Sequence, residues 1–326
     1  MDFLFYNNTH MKAVILGKGL MLANIILGAV DAGIKISGVL RYEKTTGKQV
    51  IQKLKDIFNP DYDYTLIKRY NIKQLNFKSA NSKAFRDYLI RENIDIIFVG
   101  TWKEKLEKPT FDIPSIGTIN VHPSILPKYR GPNPYIQAIL HGEKHSGVTL
   151  HLIDKGYDTG AILSQEKVEI YPKDTSKELK ERTVITARKL VCEFLSDLNT
   201  KIVTPISQSE KNATYFKNIT GEEKMLDFSN QTSDEISRTI RALHPFLPTY
   251  ITYGKKFFIV DPYNFEILND TLIDKHPNDI IDKNPADKSV TIICKDRKAI
   301  CFKRLKLYRA RLLTKWFIKN FIKISG

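Results

Sequence analysis

Apolar positions in the first two hundred residues form short unbroken runs separated by stretches with helical spacing. Residues 11–16 (MKAVIL) are an apolar run ended by Gly17, residues 20–32 have the length and apolar content of a helix ended by Gly33, and residues 34–40 (IKISGVL) read as a second strand. This β-α-β opening predicts an α/β fold with a doubly wound, mainly parallel, Rossmann-like sheet. A helix is expected over 81–92, an apolar strand over 94–100 (IDIIFVG) and a short strand over 117–121 (GTINV). Residues 131–141 read as a helix with prolines in its first turn, where a missing N–H does no harm. A strand over 148–153 (VTLHLI), an extended segment over 161–170 and a long helix over 174–198 complete the series.

Beyond Leu198 the pattern changes. Residues 201–218 read as a linker, and 232–242 as a helix whose Thr232 and Glu235 have capping-box spacing. Strand-like runs follow at 256–260, 289–294 and 299–308, the last two joined as a hairpin by charged turn residues around Asp296. The expected organisation is a main domain over 1–207 and a smaller, mostly β, C-terminal domain over 208–326. A chain of 326 residues has the length for both.

Composition alters this little, since 42% hydrophobic and 27% charged residues are ordinary for a globular protein. The first ten residues lack a basic stretch leading into an apolar run, so no secretory signal is expected, and the apolar runs fall short of a membrane span. Cys192, Cys294 and Cys301 share no metal or redox spacing, which suits a reduced, cytoplasmic setting. Charge changes more. The net charge is +15, and over residues 291–326 eleven Lys or Arg stand against Asp296 alone, about two thirds of the excess. Such a surface attracts phosphate, nucleic acid or an anionic membrane without choosing among them. Residues 308–324 could form a helix with Leu312, Trp316, Phe317, Ile318, Phe321 and Ile322 on one face. Packing on its own domain or at a dimer interface is expected of that face ahead of membrane contact.

Gly17-Lys18-Gly19 invites a dinucleotide reading, but Leu22 replaces the third glycine and Arg41, not an acid, ends the second strand. A tight strand-to-helix turn is expected there and no NAD. Walker A, G-x-S-x-G and metal-spaced Cys/His patterns are absent from the sequence, and no metal is expected.

The chemistry lies in residues 117–131, GTINVHPSILPKYRG. Asn120 and His122 stand two apart at the end of a strand, so their side chains share one face. Pro123 then turns the chain outward. An amide beside an imidazole suits acyl transfer to an amine: the amide N–H stabilises negative charge on the carbonyl oxygen, and histidine titrates near neutrality. Asp158, in the loop after 148–153, is the carboxylate that could orient the ring. Taken singly, a buried His or Asn is more often a hydrogen-bonded core residue, and Asp158-Thr159-Gly160 is an ordinary turn sequence.

Together with Ser146-Gly147-Val148-Thr149 and Asp158-Thr159-Gly160, this segment resembles the N10-formyltetrahydrofolate-dependent formyltransferases. That family includes glycinamide ribonucleotide formyltransferase, methionyl-tRNA formyltransferase and the sugar N-formyltransferases. The likeness covers about residues 11–207 well and runs on weakly beyond. It implies that Asn120 and His122 hold the developing oxyanion, that His122 assists proton movement and that Asp158 orients and charge-balances His122. It also implies that N10-formyltetrahydrofolate is the co-substrate. Its pterin would lie near Val99, Gly100 and Trp102 on one side and Asp154 and Gly156 on the other. Ser124, Tyr129 and Arg130 are the implied acceptor-side positions.

The acceptor turns on local detail. Glycinamide ribonucleotide enzymes are shorter, single-domain chains. Methionyl-tRNA enzymes carry a C-terminal β domain, and a basic tail would suit a phosphate backbone. They typically read His-Gly-Ser-Leu-Leu-Pro and Arg-Gly-Ala-Ala-Pro, whereas here stand His122-Pro123-Ser124 and Arg130-Gly131-Pro132-Asn133-Pro134-Tyr135. This form, and Gly100-Thr101-Trp102-Lys103, is similar to sugar N-formyltransferases. The implied acceptor is a dTDP- or UDP-linked amino sugar, its product feeding surface polysaccharide such as O-antigen, with no obligatory nucleic acid. Methionyl-tRNA is the alternative acceptor, and a basic membrane- or nucleic-acid-binding protein on the same fold the non-enzymatic one.

Overall fold

The structure, a computed structural model, describes residues 11–41, 61–200, 202–219, 224–253, 256–284, 286 and 288–308. Its internal packing separates two units. One holds Met1–Pro134, His145–Glu169 and Glu181–Phe216, and the other Tyr135–Lys144, Ile170–Lys180 and Lys217–Gly326. The basic tail from residue 309 lies outside the described residues.

In the first unit, β1 (Lys12–Gly17), α1 (Gly19–Asp31) and β2 (Lys35–Arg41) form the expected opening. After α2 (Tyr62–Arg69) and α3 (Lys83–Arg91) come β3 (Ile96–Gly100), the short α4 (Lys108–Phe111) and β4 (Gly117–His122). The helix α5 (Pro134–Leu140), part of the second unit from Tyr135, precedes the strands β5 (His145–Leu152) and β6 (Ile162–Glu169), and the long helix α6 (Ser176–Thr200), part of the first unit from Glu181, follows. The six strands lie in the order β2-β1-β3-β4-β5-β6. Pairing is parallel from β2 to β4 and antiparallel from β4 to β6.

Period-two alternation explains the layering. Ala13, Ile15, Ile96, Phe98, Ile119 and Val121 face one side and pack with Leu22, Ile25 and Ile26 of α1 and Val191, Phe194 and Leu195 of α6. Val14, Leu16, Ile97 and Val99 face the other and meet Phe85, Tyr88 and Leu89 of α3. With both faces covered, the strands read as continuous apolar runs. The Gly17-Lys18-Gly19 turn is closed from inside: the buried Asp63 carboxylate accepts the Gly19 N–H at 2.9 Å and pairs with the buried Arg41 guanidinium at 3.2 Å.

Two expectations meet local limits. The helix expected over 131–141 starts only at Pro134, because Gly131 (φ 94°) and Asn133 (φ 60°) are left-handed. The strand expected over 299–308 breaks at Arg304 (φ 57°) into segments belonging to different sheets.

The second unit contains α7 (Ser233–Leu243), with the expected capping box of Thr232 and Glu235. One antiparallel sheet joins β10 (Ile280–Asn284), β11 (Ser289–Ile293), β12 (Ala299–Phe302) and β9 (Phe265–Leu268). Another joins β13 (Lys306–Leu307), β8 (Lys256–Ile259) and β7 (Tyr250–Tyr253). Thus β11 and β12 form the expected hairpin, and Asp296 at its tip accepts from the Ser233 N–H and hydroxyl at 3.1 and 2.8 Å. Phe228, Ile236, Ile240, Ile251, Ile300 and Phe302 are central to its core. No helix among the described residues is long and apolar enough to cross a membrane.

Candidate active site

The β4 strand places Asn120 and His122 on one face, as their spacing requires. Asp158 reaches them by a longer route. Its loop follows β5, but β5 is antiparallel to β4, so that carboxyl end lies beside Ile119. The loop must double back, and a left-handed Asp158 (φ 57°) turns it. Gly160 permits the return, since a Cβ there would lie 1.8 Å from the Leu152 carbonyl oxygen. Asp154 shapes the same loop by accepting from the Gly156 N–H at 2.9 Å and the Thr159 hydroxyl at 2.6 Å.

The three side chains converge. Asp158 Oδ1 accepts from Asn120 Nδ2 at 3.1 Å and lies 3.5 Å from His122 Nδ1, while Oδ2 accepts the Gly131 N–H at 2.9 Å. The His122 tautomer follows from its partners: Nε2 is 3.0 Å from the Tyr129 carbonyl, which can only accept, so Nε2 carries a proton. Burial pulls the His122 ring below the ordinary histidine value, against Asp158 and the Tyr129 carbonyl, which act to raise it. The neutral ring therefore turns an unprotonated Nδ1 towards Asp158. Burial acts to raise the Asp158 carboxyl, but the protonated forms that His122 and His151 take at acid pH, with the Gly131 amide, outweigh it and hold the carboxyl below the usual carboxylate range.

A fourth group, His151, completes the cluster. It stands directly across from Asn120 in the β4–β5 register, with Nε2 3.1 Å from Asn120 Nδ2 and 3.6 Å from Asp158 Oδ1. Its Nδ1 donates to the Leu152 carbonyl at 2.8 Å, which leaves Nε2 to accept from Asn120. One amide hydrogen of Asn120 thus goes to Asp158 and the other to His151.

Asn120, His151 and Asp158 border a cleft of about 130 Å³. Val99, Trp102, Asp154 and Gly156 line it, as do Lys103, Leu106, Ile153 and Tyr157. Gly100 stands behind the wall at the end of β3, its Cβ direction filled by Ile25 and Met21. Lys105 Nζ lies 4.5 Å from the Tyr157 ring centre at the rim.

The implied acceptor-side residues are placed differently. Ser124 is buried and donates to the Lys128 carbonyl at 2.9 Å, inside the turn after β4. Arg130 is buried too, its guanidinium bonded to Gln208 Oε1 at 2.9 and 3.1 Å and to Glu210 at 2.8 and 3.0 Å. Neither side chain faces outward. Tyr129 (φ 61°) stacks on Phe216 with ring centres 5.2 Å apart.

Residues 11–195 match the family described as Formyl transferase. This chain belongs to the formyl transferase family. A methionyl-tRNA formyltransferase of Lachnospira eligens is 32% identical over 254 residues, 77% of this chain and 78% of that protein. The one from Kosmotoga olearia is 28% identical over 314 residues, 95% of this chain and 96% of that protein. Among solved structures, the fold is similar to WlaRD, a sugar 3N-formyl transferase, with TM-score 0.66 and 21% identity, covering 92% of this chain and 99% of that one. It is also similar to the N-formyltransferase from Helicobacter canadensis in complex with folinic acid and dTDP-3-aminofucose, with TM-score 0.65 and 21% identity, covering 91% and 100%. This formyl transferase therefore has the expected fold: a mainly parallel six-stranded sheet with a smaller β-rich C-terminal part.

Proposed function

We propose that this formyl transferase moves the formyl group of N10-formyltetrahydrofolate to the amine of a nucleotide-linked amino sugar. The convergence of Asn120, His122 and Asp158 beside the cleft carries the reading. The donor supplies an activated formyl carbon. Val99, Trp102, Leu106 and Ile153 give the cleft apolar walls suited to a flat ring, with the polar groups of the 154–158 loop at its edge. At about 130 Å³ it is smaller than ordinary ligand pockets of roughly 300–1,000 Å³ and fits one end of a folate.

Each residue has a role that its surroundings permit. His122 presents Nδ1 as the base for the amine proton, since Nε2 is committed to Tyr129. Once protonated, the ring faces the Asp158 carboxylate 3.5 Å away. Asn120 Nδ2 is the donor for negative charge on the formyl oxygen, turning to it one of the two hydrogens that Asp158 and His151 accept here. Loss of one such donor typically costs about 10²–10³ in turnover.

The sugar acceptor is supported by His122-Pro123-Ser124, by the run from Arg130 to Tyr135, and by sugar N-formyltransferases among the whole-chain fold neighbours. A methionyl-tRNA acceptor is the second reading, favoured by the Kosmotoga olearia likeness along 95% of the chain and by the +15 charge. Parallel assays with N10-formyltetrahydrofolate against dTDP- and UDP-amino sugars and against charged initiator tRNA decide between them. Formylation of Met-tRNA alone would make the sugar assignment wrong.

A further inference from the structure

We infer that Gln208 is a positioning residue of this site, acting on Asp158 from a strap of chain wrapped across it. The inference rests on the proposed role of Asp158. Residues 206–216 run along two parts of the first unit at once. Ile206 pairs with Ile162 through hydrogen bonds of 2.8 Å in each direction. Further on, Thr214 and Phe216 bond to both sides of Arg130: the Arg130 N–H donates to the Thr214 carbonyl at 2.9 Å and the Phe216 N–H to the Arg130 carbonyl at 3.0 Å. The Thr214 hydroxyl also accepts the Tyr129 N–H at 2.8 Å.

Between these anchors Gln208 reaches into the site and uses its whole hydrogen-bonding capacity. Its Nε2 donates to the main-chain carbonyls of Asp158 at 2.9 Å and Gly160 at 2.7 Å. Its Oε1 accepts from both Nε and Nη2 of Arg130. One side chain thus ties the loop that carries the carboxylate to the turn that receives it. That turn supplies the two main-chain groups on which the geometry depends, the Tyr129 carbonyl for His122 and the Gly131 N–H for Asp158. Gly131 has no slack: a Cβ there would lie 2.4 Å from the Phe216 carbonyl oxygen of the same strap. Asp158 is left-handed, a conformation a non-glycine residue keeps only when its surroundings enforce it. The two carbonyl bonds from Gln208 are that enforcement. Gln208 has no contact with the reacting groups and acts through the carboxylate.

Two substitutions separate this role from simple anchoring of Arg130. Gln208→Glu keeps an acceptor for the guanidinium but loses both donors to the Asp158 loop. Gln208→Met removes both functions at similar size. Both variants are expected to lose about 10- to 100-fold in kcat, as sub-ångström misplacement of a reacting group does, while donor KM changes by less than about threefold. In an Asp158→Asn background, Gln208→Glu is expected to cost nothing further, because the group it places is gone. Melting temperatures confirm folding, and if Gln208→Met fails to fold, Gln208→Glu carries the test. A wild-type kcat in Gln208→Glu overturns the inference alone, as does an equal loss with and without the Asp158 carboxylate. A wild-type rate in the single Asp158→Asn variant overturns the reading of the site, and the inference with it.

Discussion

Replacing Asp158 with asparagine tests the electrostatics of the site at nearly constant shape. The carboxylate lies 3.5 Å from His122 Nδ1, and both side chains are largely screened from solvent. A unit charge pair at that distance is worth about 5 kcal/mol at an effective dielectric constant of about 20. If half the imidazolium charge has developed in the transition state, about half of this is lost, which is roughly 50-fold in rate. Full development gives roughly 3,000-fold. An amide would also oppose one of the two N–H groups, Asn120 or Gly131, that the carboxylate now accepts. The expected loss in kcat is therefore about 10²–10³, measured as formylated product by chromatography at saturating donor and acceptor.

The pH profile supplies the sign. Burial holds His122 below the ordinary histidine value while Asp158 pulls it up. Removing the carboxylate leaves burial opposed by the Tyr129 carbonyl alone, so the ring stays neutral to lower pH. The acid limb of kcat/KM, where a protonated His122 can no longer act as base, should move to lower pH. A kcat within threefold of wild type would refute the reasoning, and so would an acid limb moving to higher pH.

Three further outcomes concern stability. Asp63→Asn keeps an acceptor for the Gly19 N–H but strands the buried Arg41 charge, which Asp61 approaches only to 3.6 Å, so a loss near 3 kcal/mol, at the low end of the range of about 3–5, is expected from urea unfolding. A loss below 1 kcal/mol would show the pair to be dispensable. Thr232→Ala removes the hydroxyl of the capping box and should cost about 1 kcal/mol, with no effect on formyl transfer. Glu178 should govern part of the acid sensitivity. Burial acts to raise it, but bonds from the Thr175 hydroxyl, the Tyr263 hydroxyl and the Thr175 amide hold it at about 2 against the usual 4.5. A lowered folded-state value means stability present above about pH 4.5 and lost as pH falls towards 2. The gap in urea midpoint between wild type and Glu178→Gln should therefore shrink from pH 6 to pH 3, modestly because the group is only partly buried. An unchanged gap would remove Glu178 from the account.

Much of this site was legible in residues 117–131, because Asn120 and His122 needed only period-two geometry to be brought together. Asp158 could be proposed from its place after a strand, though not the doubling back that delivers it, since nothing local shows that β5 runs antiparallel to β4. The same blindness hid His151. Its facing of Asn120 is a matter of cross-strand register, and in VTLHLI it reads as an ordinary polar position in an alternating strand. Gln208 lies fifty residues beyond Asp158 in a stretch that reads as linker. Arg130 shows the opposite hazard. A cation in the turn after the Asn120-x-His122 segment suggests an acceptor-side position, yet tertiary contacts to Gln208 and Glu210 turn it inward.

The Asp63 carboxylate at the start of α1 makes the fold its own tenant. In doubly wound sheets the helix N-terminus after the first strand is where a nucleotide pyrophosphate docks. Here the amide at that corner is already bonded, and the compensating cation is Arg41 from the end of β2. A phosphate arriving there would have to evict an anion tethered through α2 and then neutralise the vacated contacts itself. Engineering this scaffold to accept a dinucleotide would therefore begin with demolition, taking out Asp63 and Arg41 together, before any glycine were added to the turn.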